Sequence, residues 1–321
     1  MAKTKVSKST GAVHAVNIQG AIDRYWGGGD ILYVGNRSGL PSGDGSSPDY
    51  PLATIGGANG ALAKLQGTTN RGHVIFVLPG HAENVSSADY FSHGGTADSF
   101  ALVGLGTGTA RPSLTWTIAG STWLVDTANV AIDGFRMFIT GPTGTTALTV
   151  AAPMTISAAN CILRNNEIQF GIDADQLATI GITTTAGATG LLLEGNICYG
   201  DTTAEVTTFL DIIGVDRLVM RRNHFAGATS AVGVGIVRFA TTASLNIELR
   251  ENFYANRKAA STAAVTGLAG VTGFSYCELF HRLNDSGLGP WITSTGSMAF
   301  YEARVVNLAG EMGGVATVVS A

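Results

Sequence analysis

The sequence predicts a single elongated right-handed parallel β-helix, all-β apart from a short N-terminal helical cap, and three observations carry that expectation. A six-residue pattern returns through the middle of the chain at long, nearly regular intervals. From about residue 120 onward, short β-like segments alternate with Gly/Thr/Ala/Asn turns. No amphipathic helix recurs between those segments, so crossover sheets of the Rossmann or barrel type are disfavoured.

The recurring pattern is apolar, any, any, Asn, any, apolar. It reads Leu163-Arg-Asn-Asn166-Glu-Ile168, Leu193-Glu-Gly-Asn196-Ile-Cys198, Met220-Arg-Arg-Asn223-His-Phe225 and Leu249-Arg-Glu-Asn252-Phe-Tyr254. Looser copies place Asp133 and Cys277 at the Asn position, giving intervals of 33, 30, 27, 29 and 25 residues from Asp133 to Cys277. Such a period marks a repeat that buries its apolar side only against its neighbours. A coil of about 25 residues holds three short strands and three turns, each strand pairing in parallel with its counterpart about 4.8 Å away. Longer units put their extra residues into lateral loops.

A short amide at the fourth position tolerates left-handed or bridging backbone angles and bonds to its own turn or to the amides above and below. Asp133, Asn166, Asn196, Asn223, Asn252 and Cys277 are therefore expected as a structural ladder, the competing reading being an Asn-lined ligand groove. In-register stacking also places Glu194 between Arg164 and Arg221 and sets Arg222 against Glu251, while Arg221 meets Arg250.

The elements before the repeat follow in order. Residues 1–29 form a polar arm and possible anchor, with Lys3, Lys5 and Lys8, and a segment from Val13 to Trp26 that is helical or an irregular cap. The Gly27–Gly28–Gly29 run ends that segment. A strand follows at Asp30–Val34, then a Gly/Ser/Asp/Pro loop. The spacing of Leu52, Ile55, Ala58, Leu62 and Leu65 predicts a capping helix over 52–65. His73–Leu78, Phe100–Leu105 and Ser113–Ile118 read as strands. The β-helix is expected over 30–285. Residues 286–321 are expected as a terminal coil or oligomerisation tail, since the apolar terminus GGVATVVSA carries no charge.

The loop and cap sequences Tyr33-Val-Gly-Asn-Arg-Ser-Gly, Gly43-Asp-Gly and Ser47-Pro-Asp-Tyr-Pro-Leu-Ala-Thr-Ile55 resemble the opening of pectate-lyase-like β-helix proteins. Val74-Ile-Phe-Val-Leu-Pro-Gly80-His-Ala-Glu83, Leu102-Val-Gly-Leu-Gly106 and Ile132-Asp-Gly-Phe135 are similar in style to that superfamily. The resemblance spans roughly residues 30–280. It implies the fold, and it leaves function open among lyases, hydrolases and inert scaffolds. The clustered Asp residues with a proton-abstracting base of the calcium-dependent lyases are not found, and no Asp-Asp dipeptide of the polygalacturonase kind exists. The Lys-bearing arm, low charge and high Ala/Gly/Thr content resemble phage virion components built on a β-helix.

Composition narrows the remaining possibilities. Charged residues make up 13% of the 321 and the net charge is −4, so no basic field suggests nucleic-acid binding. No apolar run reaches the roughly 18 residues needed to cross a membrane. Cys161, Cys198 and Cys277 are far apart and lack CxxC spacing, and the histidines lack metal-ligand spacing, so no metal and no cofactor is expected. GLGTG at 104–108 lacks the following helix that a phosphate site requires.

Were the chain a glycosidase-like enzyme, its carboxylates would be Asp173 and Asp175 or Asp211 and Asp216, each pair also readable as lateral turns. Among the aromatics, Trp116 alternates with Leu114 and Ile118 and reads as core. Trp123, Trp291 and Tyr301 are candidates for interface or glycan contact. The expectation is a virion protein, a rigid scaffold used for capsid decoration, in a fibre or at the tail. Its expected partners are copies of itself, with a trimer suggested by the resemblance to phage β-helix proteins, a major capsid or tail protein, and a host glycan. A tailspike-type polysaccharide lyase or hydrolase and a non-catalytic glycan-binding module are the alternatives.

Overall fold

Short segments of alternating apolar residues form three sheets that the chain visits in rotation. A computed structural model describes residues 11–36, 43–65, 72–88, 90–91, 99–140, 147–173, 175–200, 206–227, 235–240, 242–256, 264–267, 270–282, 292–293, 297–302, 304–306 and 312–313. Sheet 1 has ten strands, from Ile31–Val34 to Ser297–Tyr301, and sheet 3 has seven, from Trp123–Val125 to Ile292–Thr293. Sheet 2 begins at Ala82–Val85 and runs to Arg304–Val306, where Met312–Gly313 adds one antiparallel strand. Within each sheet spatial order follows sequence order, and every other neighbour pair is parallel. Sequential parallel pairing in three sheets at once is a parallel β-helix. A small side sheet joins Leu148–Val150, Gly171–Asp173 and Gln176–Ala178.

Alternation along each strand decides what the tube encloses. Ile132, Leu163, Leu193, Met220 and Leu249 stack inside from sheet 1, and Met137, Ile168, Cys198, Phe225, Tyr254 and Phe280 from sheet 2. Trp116 and Trp123 are both fully buried, so Trp123 belongs to the core and not to a glycan surface. Each such side chain contributes about 1.5–3 kcal/mol on leaving water. Burial pushes the Cys161 thiol up to about 11 and the Cys198 thiol up to about 12, so neither forms a reactive thiolate near neutral pH. Cys277 is only half-buried.

The bend between sheets 1 and 2 holds the amide stack. Asn166, Asn196, Asn223 and Asn252 are all buried. The Asn196 amide nitrogen donates to Leu163 O (2.9 Å) in the coil before it and to Asn223 Oδ1 (3.0 Å) in the coil after it. Its own Oδ1 accepts from the backbone N–H and the side-chain amide of Asn166, both at 3.1 Å. Asn223 repeats the arrangement, with Leu193 O and Asn252 Oδ1 both at 2.9 Å. Each side chain thereby satisfies polar groups in three successive coils.

Two expectations about this bend need correction. The left-handed residue is the one before the stacked amide: Gly134, Asn165, Gly195, Arg222, Glu251, Cys277 and Glu302 have φ between 53° and 87°. The stack also ends on different residues. Strand register sets Phe135 beside Asn166, whose Oδ1 accepts the Phe135 N–H at 3.0 Å, and sets Glu278 beside Asn252. Asp133 points outward opposite Arg164, and Cys277 occupies the left-handed position opposite Glu251. Glu278 Oε1 takes the place of an Asn oxygen, accepting from the Asn252 side-chain amide at 3.1 Å and its backbone N–H at 3.3 Å.

At the N-terminal end only Ala61–Leu65 is helical, not the whole of 52–65. Leu52 bridges to Val34, and the buried Glu83 carboxylate draws the Ile55 and Gly56 N–H groups out of any helix, at 2.8 and 2.9 Å. A Cβ on Gly60 would lie 2.2 Å from Gly56 O, so that turn requires glycine. Upstream, Gly11–Tyr25 is an α-helix whose Ile18, Ala21, Ile22 and Tyr25 recur at three- and four-residue spacing. It lays that stripe over Val74, Phe76, Ala101 and Val103 on the outer face of sheet 1.

Candidate functional site

The outer face of sheet 1 beside the amide bend carries the densest charge among the described residues. Register stacks Asp133, Arg164, Glu194, Arg221, Arg250, Tyr276 and Tyr301 in one column. Arg164 and Glu194 form an ion pair, and Arg221 Nε lies 2.8 Å from the other Glu194 oxygen. Burial alone would raise the Glu194 carboxyl, but the hydrogen bonds and charges of Arg221 and Arg164 together outweigh it and hold the group below the usual carboxylate range. The Arg221–Arg250 conflict is relieved because Arg250 turns to Glu248 (2.5 Å) and lies over the Phe274 ring at 5.3 Å. Arg222 meets Glu251 at 2.9 Å on the adjacent column.

The N-terminal helix closes one end of this column. Asp133 accepts from the Tyr25 hydroxyl (2.9 Å) and the Asn165 amide (3.0 Å), with Arg24 at 3.7 Å. Burial, and then the Asp133 charge, raise the Tyr25 hydroxyl above its ordinary range, so it stays a donor. A cavity of about 330 Å³ between helix and bend is lined by Arg24, Arg111, Asp133 and Asn165. Arg111 is already bonded to Asn165 O at 2.9 Å, so the lining is internally paired.

Of the acids named as possible catalysts, Asp211 and Asp216 are bound to different partners. Asp211 lies in sheet 3, buried, in a two-point contact with Arg238 (2.8 and 2.6 Å). Asp216 sits past that strand, toward sheet 1, where its carboxylate accepts from Asn246 at 2.7 Å and meets Arg217 at 3.4 Å. Asp175 is exposed beside the side sheet, and the backbone of Asp173 belongs to that sheet. Asp211 and Asp216, each held by its own arginine, do not form the free acid–base couple that glycosidic cleavage needs.

A second buried group joins the N-terminal loop to the first coils. His81 Nε2 and Glu83 Oε2 lie 2.8 Å apart, and Glu83 also holds the Ile55 and Gly56 amides. Burial and the neighbouring Glu83 carboxylate raise the Tyr90 hydroxyl. This network fastens the loop, and no sequence motif announces it because its members come from distant segments. His73 likewise accepts the Asp30 N–H at 2.8 Å. Among the described residues, no group of three or more His, Cys, Asp or Glu side chains could hold a metal ion.

Of the aromatic candidates, Tyr301 is 57% exposed and stands in register with Tyr276, which is 41% exposed. Trp291 lies outside the described residues, as do the N-terminal lysines and the terminus beyond Gly313. Sequence reasoning missed Tyr276, which is legible only once the coil register is known.

No family model matches the chain, and no curated protein matches it. Among solved structures the chain is similar to the A-module of mannuronan C-5 epimerase AlgE6 from Azotobacter vinelandii, with 12% identity and a TM-score of 0.23. That match covers 78% of this chain and 90% of the module. A likeness at that score carries no statement about activity.

Proposed function

We propose that this chain is a rigid structural subunit, built to bear load rather than to turn over a substrate, and that it serves in a phage particle as a capsid-decorating, fibre or tail-associated protein. The observation that carries the reading is the amide stack from Asn166 to Asn252. Its continuous hydrogen bonding runs along the tube axis, so bending or stretching the tube breaks buried bonds worth about 1–3 kcal/mol each to leave unmade. The ion-paired column on sheet 1 and the arginine-bound Asp211 and Asp216 support the same reading. The virion placement rests on composition: low charge, high Ala/Gly/Thr content and a lysine-bearing N-terminus, in the style of phage β-helix components. Docking onto a major capsid or tail protein would use the lateral loops and termini.

Electron microscopy of the source particle tests this, with density for a narrow β-helical rod of this length expected on its surface. Measurable cleavage or epimerisation when the purified chain is offered acidic and neutral polysaccharides would replace the reading with an enzymatic one. One observation favours a second, non-catalytic reading: the exposed Tyr276 and Tyr301 rings occupy adjacent coils, a spacing that suits stacking on successive sugar units. Glycan-array binding lost on Tyr301→Ala, without turnover, would establish it.

A further inference from the structure

The coil that ends the amide stack departs from those before it at each inward place that sheet 1 supplies. Through four coils those places hold Cys161 and Leu163, Leu191 and Leu193, Leu218 and Met220, and Ile247 and Leu249, all buried, with a buried asparagine at the bend that follows. Register then sets Gly273 beside Ile247, Ser275 beside Leu249 and Glu278 beside Asn252. A single coil thereby gives up two large apolar side chains from the lumen and exchanges the amide for an acid. Gly273 is held at φ 140°, and a Cβ there would collide with Ile247 O, so the strand closes on its neighbour only as glycine. The Ser275 hydroxyl is buried without a hydrogen-bond partner among the described residues, and no donor among them reaches Glu278 Oε2. The equivalent places in the four coils below leave no polar atom unpaired. Buried polar atoms without partners oppose folding, and here they gather at one junction.

A charge on Glu278 weakens that junction further. The charged and titratable groups around it are Tyr254 and Glu251 in the coil below, Cys277 beside it, and Glu302 and Arg304 in the coil above. Arg222 is committed to Glu251, Arg304 is exposed on the outside of sheet 2, and among the described residues no lysine or arginine pairs with Glu278. The sheet 3 strand of this coil, Val265–Thr266, brings no titratable side chain. Burial pushes the Glu278 carboxyl up to about 8, so the acid is neutral in the closed tube at lower pH. We infer that the seam between Ile247–Asn256 and Thr272–Arg282 is a release line: the terminal coils part from the tube there as one unit, and loss of the Glu278 proton opens it. The unit holds strands Thr272–Tyr276, Leu279–Arg282, Ser297–Tyr301 and Arg304–Val306. Each coil of a solenoid contacts only its neighbours, so parting at one seam leaves the coils below intact. Opening carries Tyr276 and Tyr301 away, and a ligand held on those rings is held only while the seam is shut. The seam itself rests on neither functional reading.

Hydrogen exchange read by mass spectrometry on the full chain, from about pH 5 to about pH 8 and with low urea, tests it. Peptides from 272–282 and 297–306 are expected to exchange through a smaller opening than peptides from 162–199. They exchange about a hundredfold or more faster at about pH 8, with a shallower dependence on urea. Corrected for the intrinsic rate, their protection falls by up to about a thousandfold across that range, about tenfold per pH unit. Glu278→Gln keeps it level. Ser275→Ala removes the unpartnered hydroxyl and slows their exchange about tenfold at every pH, with the pH trend kept. Equal protection and equal urea slopes in both regions overturn the inference, because the tube then opens as one cooperative unit. So does a seam that opens alike at both pH values, a pH trend that survives Glu278→Gln, or exchange that Ser275→Ala does not slow.

Discussion

Glu278 replaces an asparagine at the end of the amide stack, and that replacement makes stability depend on pH. Its side chain is buried, and desolvation raises its pKa from 4.5 to about 8. Bonds from Asn252 and the Tyr254 hydroxyl pull the other way but do not offset burial, and the Glu251 charge adds to the upward push. A carboxyl raised in the folded state keeps its proton where the unfolded chain has released it. The stability it allows is therefore complete below about pH 4.5 and is lost progressively as pH rises to about 8, after which it is flat. At about 1.4 kcal/mol per unit, the loss between pH 5 and pH 8 is about 4 kcal/mol. The neutral acid also has a proton to donate. Each stacked Asn donates to the first apolar carbonyl of the coil before it, as Asn252 does to Met220 O at 3.0 Å, and the equivalent acceptor for Glu278 is Leu249 O. Glu278→Gln supplies an amide donor there at every pH and removes the titration. Urea denaturation of both proteins at about pH 5 and about pH 8 separates this group from all others that titrate. Similar stabilities are expected at the lower pH, and the variant is more stable by about 4 kcal/mol at the higher. A difference between the two proteins that does not change with pH refutes the reasoning.

Two further predictions concern buried polar pairs. Asn196→Leu leaves the Asn166 N–H and half of its side-chain amide without the acceptor they now share, and is expected to cost about 2–5 kcal/mol by chemical denaturation, against under about 1 kcal/mol for the exposed Asn84→Leu. Arg238→Met strands the buried Asp211 carboxylate and costs about 3 kcal/mol or more, while the double change Asp211→Leu with Arg238→Met costs less than Arg238→Met alone. A double-mutant cycle reads that inequality, and the opposite order contradicts the assignment of Asp211 to structure.

Much of the tube was legible because its repeat carries a rare polar residue in a buried place. Asn166, Asn196, Asn223 and Asn252 lie in apolar surroundings where an unpaired amide is costly, so their recurrence implied one another as partners. The charge columns followed from the same register, and Arg164, Glu194 and Arg221 alternate as stacking requires. The ends of the stack were not legible from the fourth position alone. Val130-x-x-Asp133 and Phe274-x-x-Cys277 each fit a loose pattern, yet the apolar residues closing the true copies, Met137 and Phe280, fix the frame at Phe135 and Glu278. The left-handed residue could not be read from its type, since Asn165, Arg222, Glu251 and Cys277 share no chemistry; the stacked side chain that follows imposes the conformation. Non-local groups were hidden for a different reason. Glu83 meets Ile55 across 28 residues, and Tyr25 meets Asp133 across 108, so neither leaves a local pattern.

A dry, continuous line of amides inside the bend underlies the rigidity of the tube. Hydrogen exchange of the asparagine side-chain amides, followed by NMR, addresses it most directly. The Nδ2 protons of Asn196 and Asn223 are expected to exchange only through unfolding of the tube, many orders of magnitude slower than those of the exposed Asn84. Exchange of the Asn196 and Asn223 amides at the rate of Asn84 would contradict the stack, and with it the rigidity on which the scaffold reading depends.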